Sequence, residues 1–299
     1  MPELPEVETV VRGLKKILPG RQILDVRFGK TDFVDDPMGV SARASGKQIQ
    51  NVRRHGKFLV FELSAAPNAP EDDSAVDLVV HLGMTGNLRV FDRNATPEPH
   101  THVFFSLDNG QELRYRDVRR FGRMFVEQHD KSSDLAALGA DPLEVTELEF
   151  RKLLQGRRTR IKALLLDQGA LRGMGNIYAD ESLWRARIHP TRLASSLSLA
   201  ETRCLYEAMR KILLQAIESK GSSISDYVDA EGRRGSFQLR HRVYQRTGKK
   251  CSRCSSIVRH SIVAGRSTHF CPRCQRAPRG RRVRQKTKAR GKRNSAGAR

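Results

Sequence analysis

The chain has 299 residues, enough for two or three domains with cores of their own, and its 55 Lys+Arg against 33 Asp+Glu leave a formal net charge of +22. A surplus of that size points to a polyanionic partner, nucleic acid ahead of a membrane surface. No run of 18 apolar residues exists to span a bilayer, and Met1–Thr9 holds three glutamates and no apolar h-region, so neither a membrane helix nor a secretory signal is expected and the protein reads as soluble and intracellular.

Residues 2–18 are expected to form a helix, because Val7, Val10, Val11, Leu14 and Leu18 recur on one face and glutamates fill the first turn. Residues 22–126 change to short β-type runs at 22–28, 57–63, 76–82, 86–91, 102–107, 112–117 and 122–126, with turns such as Asp108-Asn109-Gly110 between them. That pattern predicts an antiparallel β-sandwich, with the Pro/Ala/acid-rich stretch 64–74 as a surface loop. From about Pro142 the pattern turns helical, at 143–156, 160–167, 176–186 and 199–219. The last of these carries the stripe Cys204, Leu205, Ala208, Met209, Ile212, Leu213, Ala216 and Ile217, which is read as core with Cys204 a buried thiol. Residues 221–235 form a Gly/Ser-rich, charged loop long enough for a functional flap. The stretch 275–299 holds eleven Lys/Arg and no acid. It is expected to be disordered, and reads as a solubility tail, a phosphate-attracting arm or a nuclear-localisation signal.

Cys251-Ser252-Arg253-Cys254 and Cys271-Pro272-Arg273-Cys274 are two C-x-x-C pairs. Each forms a turn presenting two thiolates, and together they close a tetrahedral four-sulfur shell suited to Zn²⁺. An iron–sulfur cluster is the alternative metal reading, and disulfides do not suit an intracellular chain. Between the pairs, 257–263 and 267–271 read as a hairpin turning at Ala264-Gly265, with Arg266 at its tip within reach of phosphates. A closed four-sulfur shell leaves no open coordination position, so one structural zinc is expected.

The second residue is proline, and a small residue there permits removal of Met1, leaving a secondary amine. At about pH 7.5 roughly a quarter of an α-amine is neutral, against roughly 0.1% of an unperturbed lysine, so the terminus is the better nucleophile by about two orders of magnitude. Such an amine attacks an aldehydic carbon to give a Schiff base, and deoxyribose C1′ becomes one when its base leaves. Glu3 beside it is suited to move protons and stabilise an iminium. Taken alone, the segment reads as no more than an acidic helix start.

Together these motifs resemble the formamidopyrimidine-DNA glycosylase family over about residues 2–275. The resemblance is carried by Pro2-Glu3-Leu4-Pro5-Glu6-Val7-Glu8, by His55-Gly56-Lys57, by His81-Leu82-Gly83-Met84-Thr85-Gly86, by Asp117-Val118-Arg119-Arg120-Phe121-Gly122, by Gly173-Met174-Gly175-Asn176 and by the cysteine pairs. It implies an α+β multidomain protein: an N-terminal antiparallel β-sandwich with its helix (1–130), a helix–two-turn–helix domain with a lesion-capping loop at 221–237 (131–245), a C-terminal β-hairpin zinc finger (246–275) and the basic tail (276–299). It implies Pro2 as nucleophile, Glu3 as proton-transfer group, Lys57 as a catalytic lysine and Glu6 as a supporting group. Met84, Arg119 and Phe121 would fill the gap left by a flipped nucleotide, which must leave the stack before its C1′ is accessible. His102, Lys162, Asn176, Tyr244 and Arg266 would bind backbone phosphates without reading sequence.

The implied protein is a monomeric bifunctional glycosylase/lyase of the bacterial cytoplasm or nucleoid, excising 8-oxoguanine and formamidopyrimidines from duplex DNA and cleaving the strand by β- and δ-elimination. The alternatives are an endonuclease VIII-like enzyme for oxidised pyrimidines and a non-catalytic zinc protein that binds nucleic acid by charge. Two features depart from the family pattern, the long 64–74 loop and the basic extension.

Overall fold

The computed structural model describes residues 1–64, 74–128, 133–224 and 226–277. The tail beyond Ala277 and most of the expected 64–74 loop lie outside the described residues.

The chain opens with α1 (Leu4–Leu14), followed by β1 (Ile23–Phe28), α2 (Pro37–Ala44), β2 (Gln48–His55), β3 (Phe58–Ser64), β4 (Val76–His81), β5 (Asn87–Asp92), β6 (Thr101–Leu107), β7 (Gln111–Arg116) and β8 (Arg123–Gln128). The strands form two four-stranded antiparallel sheets, ordered β2-β3-β4-β8 and β1-β6-β7-β5. Alternate side chains of both sheets, such as Leu59, Phe61, Leu78 and Val80 from one and Val103, Phe105, Leu113 and Tyr115 from the other, share one core with α1 and α2. The expected sandwich is therefore present.

The helix start is local chemistry. Pro5 stands in the first turn, where a missing N–H costs nothing, and the Glu6 carboxylate accepts the Glu3 amide at 2.9 Å. The helix ends at Leu14 and not at residue 18, although Leu18 stays buried in the same core from the following turn. Two elements of this N-terminal half were absent from the expected pattern. Strand β2 is polar along most of its length, with only Ile49 and Val52 fully buried, and is held by Arg53 on Glu62 (2.5 Å) and Asp77 (2.9 Å). Helix α2 is announced only by Asp36, which caps the Gly39 amide, and by Pro37 behind it.

Helix α3 (Ser133–Ala136) packs Leu135 against Val60, Val79 and Phe125 of the first sheet, and the second half carries α4 (Glu147–Leu154), α5 (Ile161–Leu166), α6 (Asn176–Arg185) and α7 (Leu199–Glu218) around a separate core. Leu4 of α1 packs in this second core while Val7 to Leu14 pack in the first, so α1 is fastened to both halves. On α7 the buried stripe is Thr202, Leu205, Ala208, Met209, Ile212, Leu213, Ala216 and Ile217. Cys204 is exposed, contrary to expectation: it stands at the stripe's margin, seven residues before the exposed Lys211 and in line with it. The chain closes with the hairpin β9 (Arg259–Val263) and β10 (Arg266–Phe270).

Candidate active site and nucleic-acid interface

Glu3, at the entrance to α1, is 4% exposed and accepts the Ile177 amide at 3.0 Å and the Tyr178 amide at 3.4 Å. Its carboxylate thus sits on the N-terminal turn of α6, where the helix presents unpaired N–H groups. That approach demands glycine at 175, since a Cβ there would overlap the Glu3 carboxyl. Gly173, at φ +91°, accepts the Leu4 amide at 3.0 Å and lets the 173–175 turn lie flat against the start of α1. Burial raises the Glu3 pKa, and the opposing pull of Lys57, the two amides and the chain-terminal ammonium only partly offsets it.

Lys57 lies in the two-residue turn between β2 and β3, not within a strand as expected, and is 8% exposed. Burial depresses its pKa, Glu3 opposes this, and the Arg266 charge adds to the depression. Pro2 is buried beside these groups. With Met1 in place its nitrogen is an amide; removal of Met1 converts it to the amine that the chemistry needs. Pro2, Glu6, Met84, Ile177, Ser222, Ile224 and Tyr227 surround a cavity of about 30 Å³ under Met1.

Glu6 faces inward. Its carboxylate accepts Tyr178 Oη at 2.5 Å and the Ser222 amide at 2.7 Å besides the Glu3 amide. Burial first, then the Glu3 charge, lift its pKa to about 7. The described part of the 221–237 segment lies on this helix: Tyr227 Oη donates to the Glu6 carbonyl at 3.1 Å, and Asp229 binds Lys220 Nζ at 3.0 Å and the Arg233 amide at 2.7 Å. Ser222 and Tyr227 are site residues that sequence reasoning did not single out.

Met84 (37% exposed) and Phe121 (56% exposed) stand on two adjacent loops, and the Arg119 guanidinium lies 4.6 Å above the Phe121 ring. Gly83, at φ +62°, lets the loops touch, because a Cβ there would overlap the Phe121 backbone. The fully buried Asp117 ties them: it accepts Thr85 Oγ1 at 2.5 Å, Tyr115 Oη at 3.1 Å and the Gly122 amide at 3.0 Å. His81, neutral because burial and Lys57 push its pKa down to about 4, accepts the Gly83 amide at 3.1 Å.

The expected phosphate-binding residues divide. Arg266 is exposed at the hairpin tip. Tyr244 meets the Asn176 side chain, and the buried Glu181 fixes the 242–244 turn by accepting the amides of Arg242, Val243 and Tyr244. Asn176 Oδ1 and His102 Nε2 are buried without a hydrogen-bond partner among the described residues, atoms that a ligand would satisfy. Lys162 is a correction. It is 0% exposed, and its ammonium is committed to Asp180 Oδ1 (2.6 Å), the Ser267 carbonyl (2.8 Å) and Thr268 Oγ1 (2.9 Å). Its charge is thus paired and hydrogen-bonded inside the protein, and with none of its surface exposed it offers no free ammonium to a phosphate in this structure. It fastens α5 and α6 to the strand that starts with Arg266.

The four expected metal ligands converge: Cys251, Cys254, Cys271 and Cys274 have their sulfurs within 4.8 Å of one another, with Cys254–Cys271 at 3.4 Å and Cys251–Cys274 at 4.0 Å. Zinc–sulfur bonds of about 2.3 Å in a tetrahedron separate sulfurs by about 3.8 Å, so the set fits one Zn²⁺. Trp184 Nε1 donates to Cys251 Sγ at 3.4 Å, a neighbour suited to a thiolate.

Family models match along the described chain: the formamidopyrimidine-DNA glycosylase N-terminal domain over residues 1–124, the H2TH domain of the same enzymes over 138–228, and the zinc finger found in FPG and IleRS over 248–277. The chain belongs to the formamidopyrimidine-DNA glycosylase family. Formamidopyrimidine-DNA glycosylase of Solibacter usitatus is 46% identical over 279 residues, covering 92% of this chain and all of that protein. The MutM (FPG) protein of Thermus thermophilus is 42% identical with a TM-score of 0.79, over 92% of this chain and 98% of that one. A point mutant of Lactococcus lactis FPG, solved with a Fapy-dG-containing DNA, is 36% identical with a TM-score of 0.83, over 92% of this chain and all of that one. The chain is accordingly a DNA glycosylase for oxidised purines, an enzyme of base excision repair, and abasic-site lyase activity is typical of its family. A purely charge-driven zinc protein does not account for a match that includes the N-terminal 124 residues.

Proposed function

We propose that this chain, freed of Met1, excises 8-oxoguanine and formamidopyrimidines from duplex DNA through a Schiff base on Pro2, working as a monomer in the bacterial cytoplasm or nucleoid. The observation that carries this is the meeting of Pro2, Glu3 and Lys57 at the N-terminus of α6, beneath the loops of Met84 and Phe121. The catalytic unit would span 1–130, the helical unit 131–245 and the zinc unit 246–275.

In this reading the Pro2 nitrogen bonds to C1′ as the C1′–N bond breaks, and its electron pair leaves with the base, which takes up a proton. The sugar ring opens when O4′ is protonated, a step for which Glu3 is suited because burial raises its pKa and so favours its proton-holding form. The resulting iminium acidifies the C2′ hydrogen. Loss of that proton expels the 3′ phosphate, loss of a further sugar proton expels the 5′ phosphate, and water releases the unsaturated aldehyde from Pro2. Lys57, held nearby, would bind the lesion or its phosphate. Met84 and Phe121 would fill the vacated stack and Arg119 would face the orphaned base. Asn176, Tyr244, His102 and Arg266 would hold the phosphates. Zinc, once bound by the four cysteines, supplies rigidity to the hairpin.

The test is borohydride trapping on a duplex with 8-oxoguanine opposite cytosine, with the cross-link mapped by mass. An adduct on Pro2 is expected, and Pro2→Gly should lose it. Binding without adduct or cleavage, on this duplex and on one with thymine glycol, would overturn the reading.

A further inference from the structure

At the far end of the zinc hairpin from Arg266, a separate concavity of about 500 Å³ is lined by Arg187, Arg192, Glu201, Arg253, Arg273 and Arg276 together with Cys254 and Cys274. Five residues of strand separate the hairpin tip from its cysteine end, so the two lie roughly 17 Å apart. The active cleft gathers at the tip, where the Arg266 charge acts on Lys57.

We infer that this concavity is a second DNA-binding surface, which grips the phosphates of another, undamaged duplex while the cleft holds its own. Two of its five guanidiniums have internal work. Arg192 pairs with Glu201 at 2.9 Å, and Arg253 stacks 4.1 Å from the Trp184 ring and donates to the Trp184 carbonyl at 3.0 Å. Arg253 also stands beside the metal site, where four thiolates around Zn²⁺ make a dianion that needs compensation. Arg273 borders the same metal site, but Arg187, Arg273 and Arg276 are all exposed and none has an acidic side-chain partner among the described residues. Arg187 stands just past the end of α6 at φ +61°, where glycine is the least strained choice. A guanidinium is held there at a conformational cost.

Three unpaired guanidiniums on one concave, mostly polar surface match phosphodiester oxygens, which accept their paired donors bidentately. Beyond Ala277 the sequence adds ten further Lys/Arg and no acid. A polyanion is therefore favoured over a single small anion. Duplex DNA is the one such polyanion that the occupied cleft keeps at high local concentration. A protein gripping two segments can pass between them without dissociating fully, which shortens its search for rare lesions.

The inference rests on the cleft being the primary DNA site, so that site is filled first. The full-length zinc protein is saturated with a short duplex carrying a tetrahydrofuran abasic analogue, and failure of this step would count against the cleft reading alone. A second, undamaged, fluorescently labelled duplex is then titrated and followed by anisotropy at about 50 and 200 mM salt. A ternary complex is expected, weakening steeply with salt. Arg187→Glu/Arg273→Glu/Arg276→Glu should bind the second duplex at least tenfold more weakly, with zinc content, melting temperature and nicking of a short lesion duplex unchanged. If that variant fails to fold, the corresponding triple Gln variant takes its place. Absence of a ternary complex overturns the inference. An equal ternary affinity in the variant also overturns it, by moving second-duplex binding away from the concavity.

Discussion

The Ser222 amide donates to the Glu6 carboxylate at 2.7 Å, joining the first turn of the N-terminal helix to the root of the 221–237 loop. The same carboxylate holds Tyr178 Oη and the Glu3 amide. A group expected to play a minor supporting role is thus the junction of α1, α6 and the loop that would cover the lesion. Its pKa of about 7 against 4.5 unperturbed has a definite sign. A buried carboxyl with a raised pKa favours the native state below pH 4.5. That advantage is lost as pH rises to about 7, because the unfolded chain releases its proton first.

Glu6→Gln should remove this pH dependence. The stability of the wild-type protein relative to the variant, measured by urea unfolding, should fall by an amount on the order of 3 kcal/mol between pH 4.5 and 7 and change little above. The variant should also turn over more slowly, since an amide cannot accept three donors as a carboxylate does. A constant stability difference across this range would show that Glu6 ionises as an exposed carboxylate does.

Gly175→Ala tests whether the position of Glu3 matters to chemistry. The added methyl overlaps the Glu3 carboxyl and must displace it from the α6 amides. A shift of about 1 Å at a reacting group costs roughly a hundredfold in rate. The expected result is a kcat lower by about that factor, with affinity for an abasic-analogue duplex within about threefold of wild type. An unchanged kcat in single-turnover assays would remove Glu3 from the proton-transfer role.

The α7 stripe, the sandwich strands and the cysteine pairs were legible because each depends on local periodicity or spacing. Strand β2 was not, because its polar residues are satisfied by Glu62 and Asp77 on neighbouring strands, and those partners are set by sheet register. Cys204 was misplaced because a residue at the edge of a helical stripe belongs to either face. At the site, the chemical groups were visible in the motifs, whereas the parts played by Asp117, Glu181, Ser222 and Tyr227 were not. Their significance lies in which amides and hydroxyls they meet across the fold, and an isolated polar residue carries no trace of that.

Lys162 is where the structure and the sequence expectation differ most, and the two make opposite predictions. A phosphate contact replaced by Met would lower the salt slope of DNA binding by about one and leave stability alone. The buried arrangement predicts that Lys162→Met strands Asp180 without its cation and costs about 3–5 kcal/mol in unfolding free energy. The double variant Lys162→Met/Asp180→Leu should recover part of the loss, since both buried charges are then gone. A stable single variant with a reduced salt slope would restore the phosphate role.

Removing the metal should separate the two halves of the function. Cys254→Ser, or chelation of wild-type protein, should reduce zinc from one per chain toward none and release β9 and β10 from their fixed end. Strand β10 would then keep only its ties from Lys162 to Ser267 and Thr268 and from the His269 amide to Asp180, so Arg266 at the tip would be held over the cleft less firmly. The sandwich core has no residue in the cysteine cluster and should stay folded. Affinity for a lesion duplex should therefore fall by at least a hundredfold, while the unfolding transition assigned to the β-sandwich remains. If zinc-free protein bound the duplex as tightly as the loaded protein, the hairpin would contribute nothing to the grip on DNA and Arg266 would lose its place in the interface.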